Sequence, residues 1–136
     1  MYFRFLEHTA DVQVECFAET FHGLLEASAR ALYALALRHV RSDNNEEARS
    51  VQVTGVSYED TLVRWLQELI YLLDVEGFVA TTFTFAQDEE GTVSARLGGY
   101  RCKTEDRAEE VKSATYHEIQ VRETAEGFMA RVIFDL

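Results

Sequence analysis

Proline is absent from the 136 residues and the seven glycines are scattered, so no polyproline segment or low-complexity linker divides the chain. A single domain over residues 1–136 is therefore expected. Nucleotide-binding and hydrolase signatures are missing as well: there is no GxxxxGK, GxGxxG, GxSxG or HExxH pattern. An autonomous NTPase or hydrolase is not supported. Cysteine is scarce, and Cys16 and Cys102 lie far apart outside any CxxC pattern, which speaks against a zinc ribbon or a redox dithiol. Each is expected to be a small core residue. The longest uninterrupted apolar run, ALYALAL at residues 31–37, is far too short to span a bilayer. The start MYFRFLEHTAD turns acidic at once instead of passing from basic to apolar, so no secretory leader is read there and a cytoplasmic, soluble protein is expected.

Positive charge is the other shortage. Thirteen Lys and Arg stand against 24 Asp and Glu, a formal charge of −11, the wrong sign for gripping a phosphate backbone unaided. Such a surface suits a basic protein partner or a bound cation, or serves only to keep the domain in solution.

Hydrophobic residues make up 47% of the chain, enough for a core. VQVECFA (12–18) alternates with period two and predicts a first strand. From Thr20 the spacing becomes helical through Phe21, Leu24, Leu25, Ala31, Leu32 and Leu35, with Arg38, His39 and Arg41 expected to complement the negative end of the dipole. A polar turn, SDNNEE, leads into a second strand, SVQVTGV (50–56). Ser57 and Asp60 form a capping box with the shorter acid, Leu62, Leu66, Leu69, Ile70 and Leu73 make a buried stripe, and Gly77 supplies the stop. Trp65 and Tyr71 are expected in the core or at its rim. Strands follow at 78–85, 92–100, around 111–121 and at 127–136, joined by the turns QDEEG and TAEG. Within 92–100, LGGY reads as a strand bend, because no helix follows to make it a phosphate cradle. The expectation is an α+β fold: one layered domain, two main helices packed on mostly antiparallel sheet. A β-α-β order that occurs twice suggests an internal duplication, although no residue string repeats.

Chemistry concentrates at the two ends. In GFMARVIFDL, Asp135 stands beside the terminal carboxylate of Leu136. Like charges ~4 Å apart repel by about 4 kcal/mol at an effective dielectric near 20, so converging carboxylates call for a proton, a cation or a basic side chain. If Asp11 joined them, three carboxylates would form a hard oxygen site, which calcium accepts more readily than magnesium does. The alternative is a solvated terminus. In FLEHTADV, Thr9 and Asp11 read equally as turn residues with His8 at the surface. Lys112 in EVKSATYH is either a solvated lysine or a cation beside the acidic group; Tyr116 and His117 are packing and hydrogen-bonding residues on their own.

Four strings in order, FLEHTADV, WLQELIYLLDVEGF, VKSATYH and the terminal RVIFDL, resemble the archease family over Phe3 to Leu136. The resemblance implies a metal-binding, non-enzymatic cofactor protein that assists the GTP-dependent RNA-splicing ligase of the RtcB type in tRNA splicing and RNA repair. It implies that Asp11, Asp135 and Leu136 hold a divalent cation, calcium first, with magnesium or manganese as alternatives. By the same resemblance Lys112 helps the ligase, which carries out guanylylation on its own histidine and meets RNA itself, so that this chain touches RNA only indirectly. The sequence departs from the family pattern at His22 and Gly23, early in the first helix, and at Ser113, where alanine is usual. Two rival readings stand beside it: a chaperone-like protein-interaction module with a structural metal, and a small metal-dependent phosphoesterase.

Overall fold

Along residues 11–18 every second side chain is apolar, and the computed structural model, which describes residues 1–6, 11–42, 45–87 and 89–136, turns that alternation into a strand with Val12, Val14, Cys16 and Ala18 buried. Seven strands and two helices follow in the order β1 (Tyr2–Phe5), β2 (Asp11–Ala18), α1 (Phe21–Ala36), β3 (Glu47–Thr54), α2 (Tyr58–Glu76), β4 (Phe78–Phe85), β5 (Thr92–Arg101), β6 (Ser113–Thr124) and β7 (Gly127–Asp135). They form a four-stranded sheet in the order β1-β2-β7-β6 and a three-stranded sheet in the order β3-β5-β4, with antiparallel pairing throughout. Both helices pack against strands of both sheets, and one apolar cluster joins all of these elements. The fold is α+β, two helices with antiparallel sheets, as the sequence predicts.

The helices begin where their caps dictate. Thr20 is extended and its hydroxyl accepts the Gly23 N–H at 3.0 Å. Ser57 does the same for the Asp60 N–H at 3.1 Å, while the Asp60 carboxylate reaches back to the Val56 N–H at 3.0 Å, one residue upstream of the usual reciprocal partner. Gly77 closes α2 in the left-handed region at φ 69°, where a side chain would be strained. Small residues let α1 sit deep: Leu24, Leu25, Ala29, Leu32 and Ala36 are fully buried.

Three expectations need correction. The first helix stops at Ala36, so Arg38, His39 and Arg41 are not in its last turn. The Arg38 N–H donates to the Asp106 carbonyl, the Ala108 N–H donates to the Ala36 carbonyl, and Leu37 bridges Arg107, so pairing with a distant segment replaces the next helical turn. Arg41 instead lays its guanidinium 4.1 Å from the Tyr100 ring centroid. The second strand runs over Glu47–Thr54 rather than 50–56, and beyond it the Gly55 N–H donates to the Gly91 carbonyl at 2.9 Å. The two β-α-β segments are also unlike: β2-α1-β3 crosses between sheets, whereas β3-α2-β4 returns within one sheet with β5 between its strands.

Strand β1 was not foreseen, and a buried carboxylate fastens it. Glu15, 7% exposed at its side chain, accepts from Arg4 at 2.7 Å and from Arg131 at 2.9 Å, tying β1, β2 and β7 together. Hydrogen bonds from Arg131 and then Arg4 hold its pKa below the ordinary carboxylate value against the opposing effect of burial. A depressed folded-state pKa contributes stability that is present above the unfolded value, about 4.3, and is lost as pH falls through the folded value. The expected result is that Glu15→Gln flattens the acid limb of a urea-stability profile below about pH 4.5. An acid limb identical to wild type would refute this assignment.

Candidate functional site

The residues singled out at the two ends of the chain meet on the four-stranded sheet. Asp11 opens β2, Asp135 closes β7, and the antiparallel register sets them directly opposite each other. Directly opposed residues of such a ladder lie about 4.5–5.5 Å apart, close enough for two carboxylates to share one cation and for their like charges to oppose folding without one. Both are exposed. The ladder continues into β6, where Ser113 faces Asp135 from the other side and its hydroxyl approaches Asp135 Oδ2 at 3.4 Å. Leu136 follows at once, half-buried and packed against the edge of the core.

Lys112 sits just ahead of β6 rather than within it. Its N–H donates to the Asp135 carbonyl at 2.8 Å, so its backbone is pinned beside the acidic pair while its side chain is exposed. Among the described residues it forms no salt bridge. Both readings of Lys112, a solvated lysine and a cation beside the acidic group, are compatible with this placement. His8 and Thr9 of the HTAD string lie outside the described residues.

Among the described residues no cluster of three or more His, Cys, Asp or Glu side chains is placed to hold a metal ion. What the register does bring together is one pair of opposed carboxylates, Asp11 and Asp135. Carboxylate oxygens are donors that suit a hard cation. Both cysteines fall away from this region. Cys16 is buried, with desolvation pushing its thiol up to about 12, and Cys102 is half-buried with its thiol also raised by desolvation, which disfavours the thiolate at both.

Sequence reasoning missed the irregular part of β6. Between the pairs Thr115–Ile133 and Gln120–Arg131 the register shifts, with Tyr116, His117, Glu118 and Ile119 set against Val132 alone. Glu118 adopts φ 54°, uncommon for a residue with a side chain. The bulge is anchored to the first turn of α2: the Tyr116 hydroxyl donates to Asp60 Oδ1 at 2.7 Å and the Val121 N–H to Glu59 Oε2 at 3.3 Å. The hydrogen bond lowers the Asp60 pKa and raises that of Tyr116. Its only trace in the sequence is a polar YHE run inside an otherwise strand-like segment. LGGY lies within the unbroken strand β5; the irregularity is in its neighbour β4, whose register shifts between Ala80 and Thr82 opposite Gly98 and Gly99, and a Cβ on Gly99 would collide with the Val79 carbonyl oxygen.

Residues 3–136 match the Archease protein family (MTH1598/TM1083). Protein archease of Archaeoglobus fulgidus is 35% identical, with 100% of each chain covered. Protein archease of Methanosarcina acetivorans is 31% identical over 98% of this chain and 95% of its own. The solution structure of Methanobacterium thermoautotrophicum protein 1598 superposes with a TM-score of 0.82 at 26% identity, covering 98% of both chains. A crystal structure from Thermotoga maritima, described as an archease and possible chaperone, has a TM-score of 0.70 over 96% of this chain and 94% of that one; at 20% identity it speaks to the fold alone. The chain therefore belongs to the archease family.

Proposed function

We propose that this chain, acting as one domain in the cytoplasm, is a non-enzymatic, metal-binding helper of an RtcB-type RNA-splicing ligase and promotes that ligase's guanylylation and repeated turnover. The observation that carries this reading is the cross-strand opposition of Asp11 and Asp135, with the Lys112 backbone bonded to Asp135. Asp11, Asp135 and the Leu136 carboxylate would hold the divalent cation, calcium first, which when bound supplies positive charge for ligase or nucleotide oxygens. Lys112 adds a mobile ammonium at the same edge. Its role is to orient a phosphate or a partner carboxylate, which needs no covalent step on this chain.

The test is a turnover assay with limiting purified ligase, GTP and RNA ends. Added protein should raise both the guanylylated fraction and the product per ligase, and no change in either would sink the proposal. Lys112→Ala should reduce the stimulation by roughly ten- to a hundredfold, since one charge-assisted contact is worth ~1.5–3 kcal/mol. Its melting temperature should stay at the wild-type value. Parallel losses of stimulation and stability would return Lys112 to a structural role.

A further inference from the structure

The opposite end of the molecule carries a second surface. In the β2–β7 ladder the Ala18–Phe128 pair lies seven residues from the Asp11–Asp135 pair, roughly 23 Å at the usual strand rise of about 3.3 Å per residue. There the β4–β5 hairpin and the starts of α1 and α2 border a groove of about 920 Å³. Its floor is apolar and aromatic: Phe21 and Tyr58 lie 4.6 Å apart between ring centroids, and Phe128 packs against both. Val56, at the mouth, is 96% exposed.

Val56 is not a frayed loop residue. Its N–H is held by Asp60 at 3.0 Å, and the preceding Gly55 is packed so closely that a Cβ would stand 2.6 Å from the Thr61 nitrogen. An isopropyl group is thus held in water by an ordered turn at the edge of the groove. Pre-ordering of this kind lowers the entropic cost of docking.

Among the described residues, the charged side chains lining the groove are all carboxylates: Glu59, Glu89 and Glu90. Two helix N-termini also border it, and each amounts to roughly half a positive charge. Those ends are already occupied within the chain, by Thr20, Ser57 and Asp60, so the surplus charge facing outward is negative. A second copy of this acidic chain is disfavoured for the same reason.

We infer that this groove docks a segment of a partner protein in which lysine or arginine flanks an apolar side chain, the apolar group resting on Val56 and Tyr58 and the cations meeting Glu89 and Glu90. The inference does not rest on the ligase reading or on a metal.

The probe is a short synthetic peptide alternating lysine with leucine and phenylalanine, titrated into the full-length protein labelled with nitrogen-15 in calcium-free buffer. Expected are amide shifts confined to Gly55, Val56, Tyr58, Glu90 and Gly91, weakened by added salt. Val56→Ser and the pair Glu89→Gln with Glu90→Gln, all at exposed positions, should each weaken binding roughly fivefold without altering the melting curve. A peptide with glutamate in place of lysine should not bind. The inference is overturned by shifts centred on Asp11 and Asp135, by equal binding of a peptide with serine in place of leucine and phenylalanine, by unchanged affinity in both variants, or by no binding.

Discussion

Calcium is expected to raise the melting temperature of the wild-type protein, and converting both Asp11 and Asp135 to asparagine is expected to abolish that rise while leaving the melting temperature in EDTA equal to or above wild type. Both halves of this result follow from the register that puts the two carboxylates face to face. Without a cation, two like charges directly opposed across a ladder cost stability, and asparagine keeps the shape while removing the charge. With a cation, binding to the folded state alone stabilises by about 2.7 kcal/mol at a hundredfold excess over the dissociation constant. For a chain of this size that corresponds to roughly 10 °C in melting temperature. Differential scanning fluorimetry with and without calcium measures it. An equal calcium-induced rise in wild type and the double variant would place the cation elsewhere and remove the basis of the metal-binding helper. The same variant should fail to stimulate the ligase while remaining folded, which separates a metal that works at the partner from one that only holds the fold.

Trp65→Ala is expected to lower unfolding free energy by about 3–5 kcal/mol, the range for emptying a buried tryptophan site. Trp65 is fully buried in α2, its indole N–H donates to the Leu25 carbonyl of α1 at 2.9 Å, and Phe83 and Phe85 of the three-stranded sheet pack beside it. The side chain therefore joins both helices to one sheet. Leu25 keeps another donor in the Ser28 hydroxyl at 2.8 Å, so the loss comes mainly from the cavity rather than from an orphaned carbonyl. Against a typical total of about 5–15 kcal/mol the loss is roughly a fifth or more. Urea unfolding should show a lower midpoint with an unchanged slope, and Trp65→Phe should recover most of the difference. A loss under about 1 kcal/mol would mean that the cavity collapses or that the two helices are held by other contacts.

What could be read in advance differs by element. Strand 78–85 and the limits of α2 stand where the sequence places them, because a cap, a 3.6-residue stripe and a terminating glycine all act within a few residues. Helix α1 was read too long because its apolar spacing and basic tail give no local stop; the stop comes from Asp106 and Ala108, far along the chain. Strand β1 went unread because four residues are too few to show a period, and its anchor is the Glu15 carboxylate on another strand.

The candidate site divides in the same way. That Asp11, Lys112 and Asp135 are carboxylates and a lysine at the ends of apolar runs, and that the chain resembles archease, is written in the residues themselves. Periodicity, caps and motif order are short-range properties, and these alone determined the α+β class, both helices and the choice of candidate residues. Which strands pair, and in what register, is decided by burial shared among segments separated by most of the chain. Only the tertiary structure could therefore set Asp11 opposite Asp135, pin Lys112 beside them, bulge β6 against α2 and leave Val56 standing over an acidic groove.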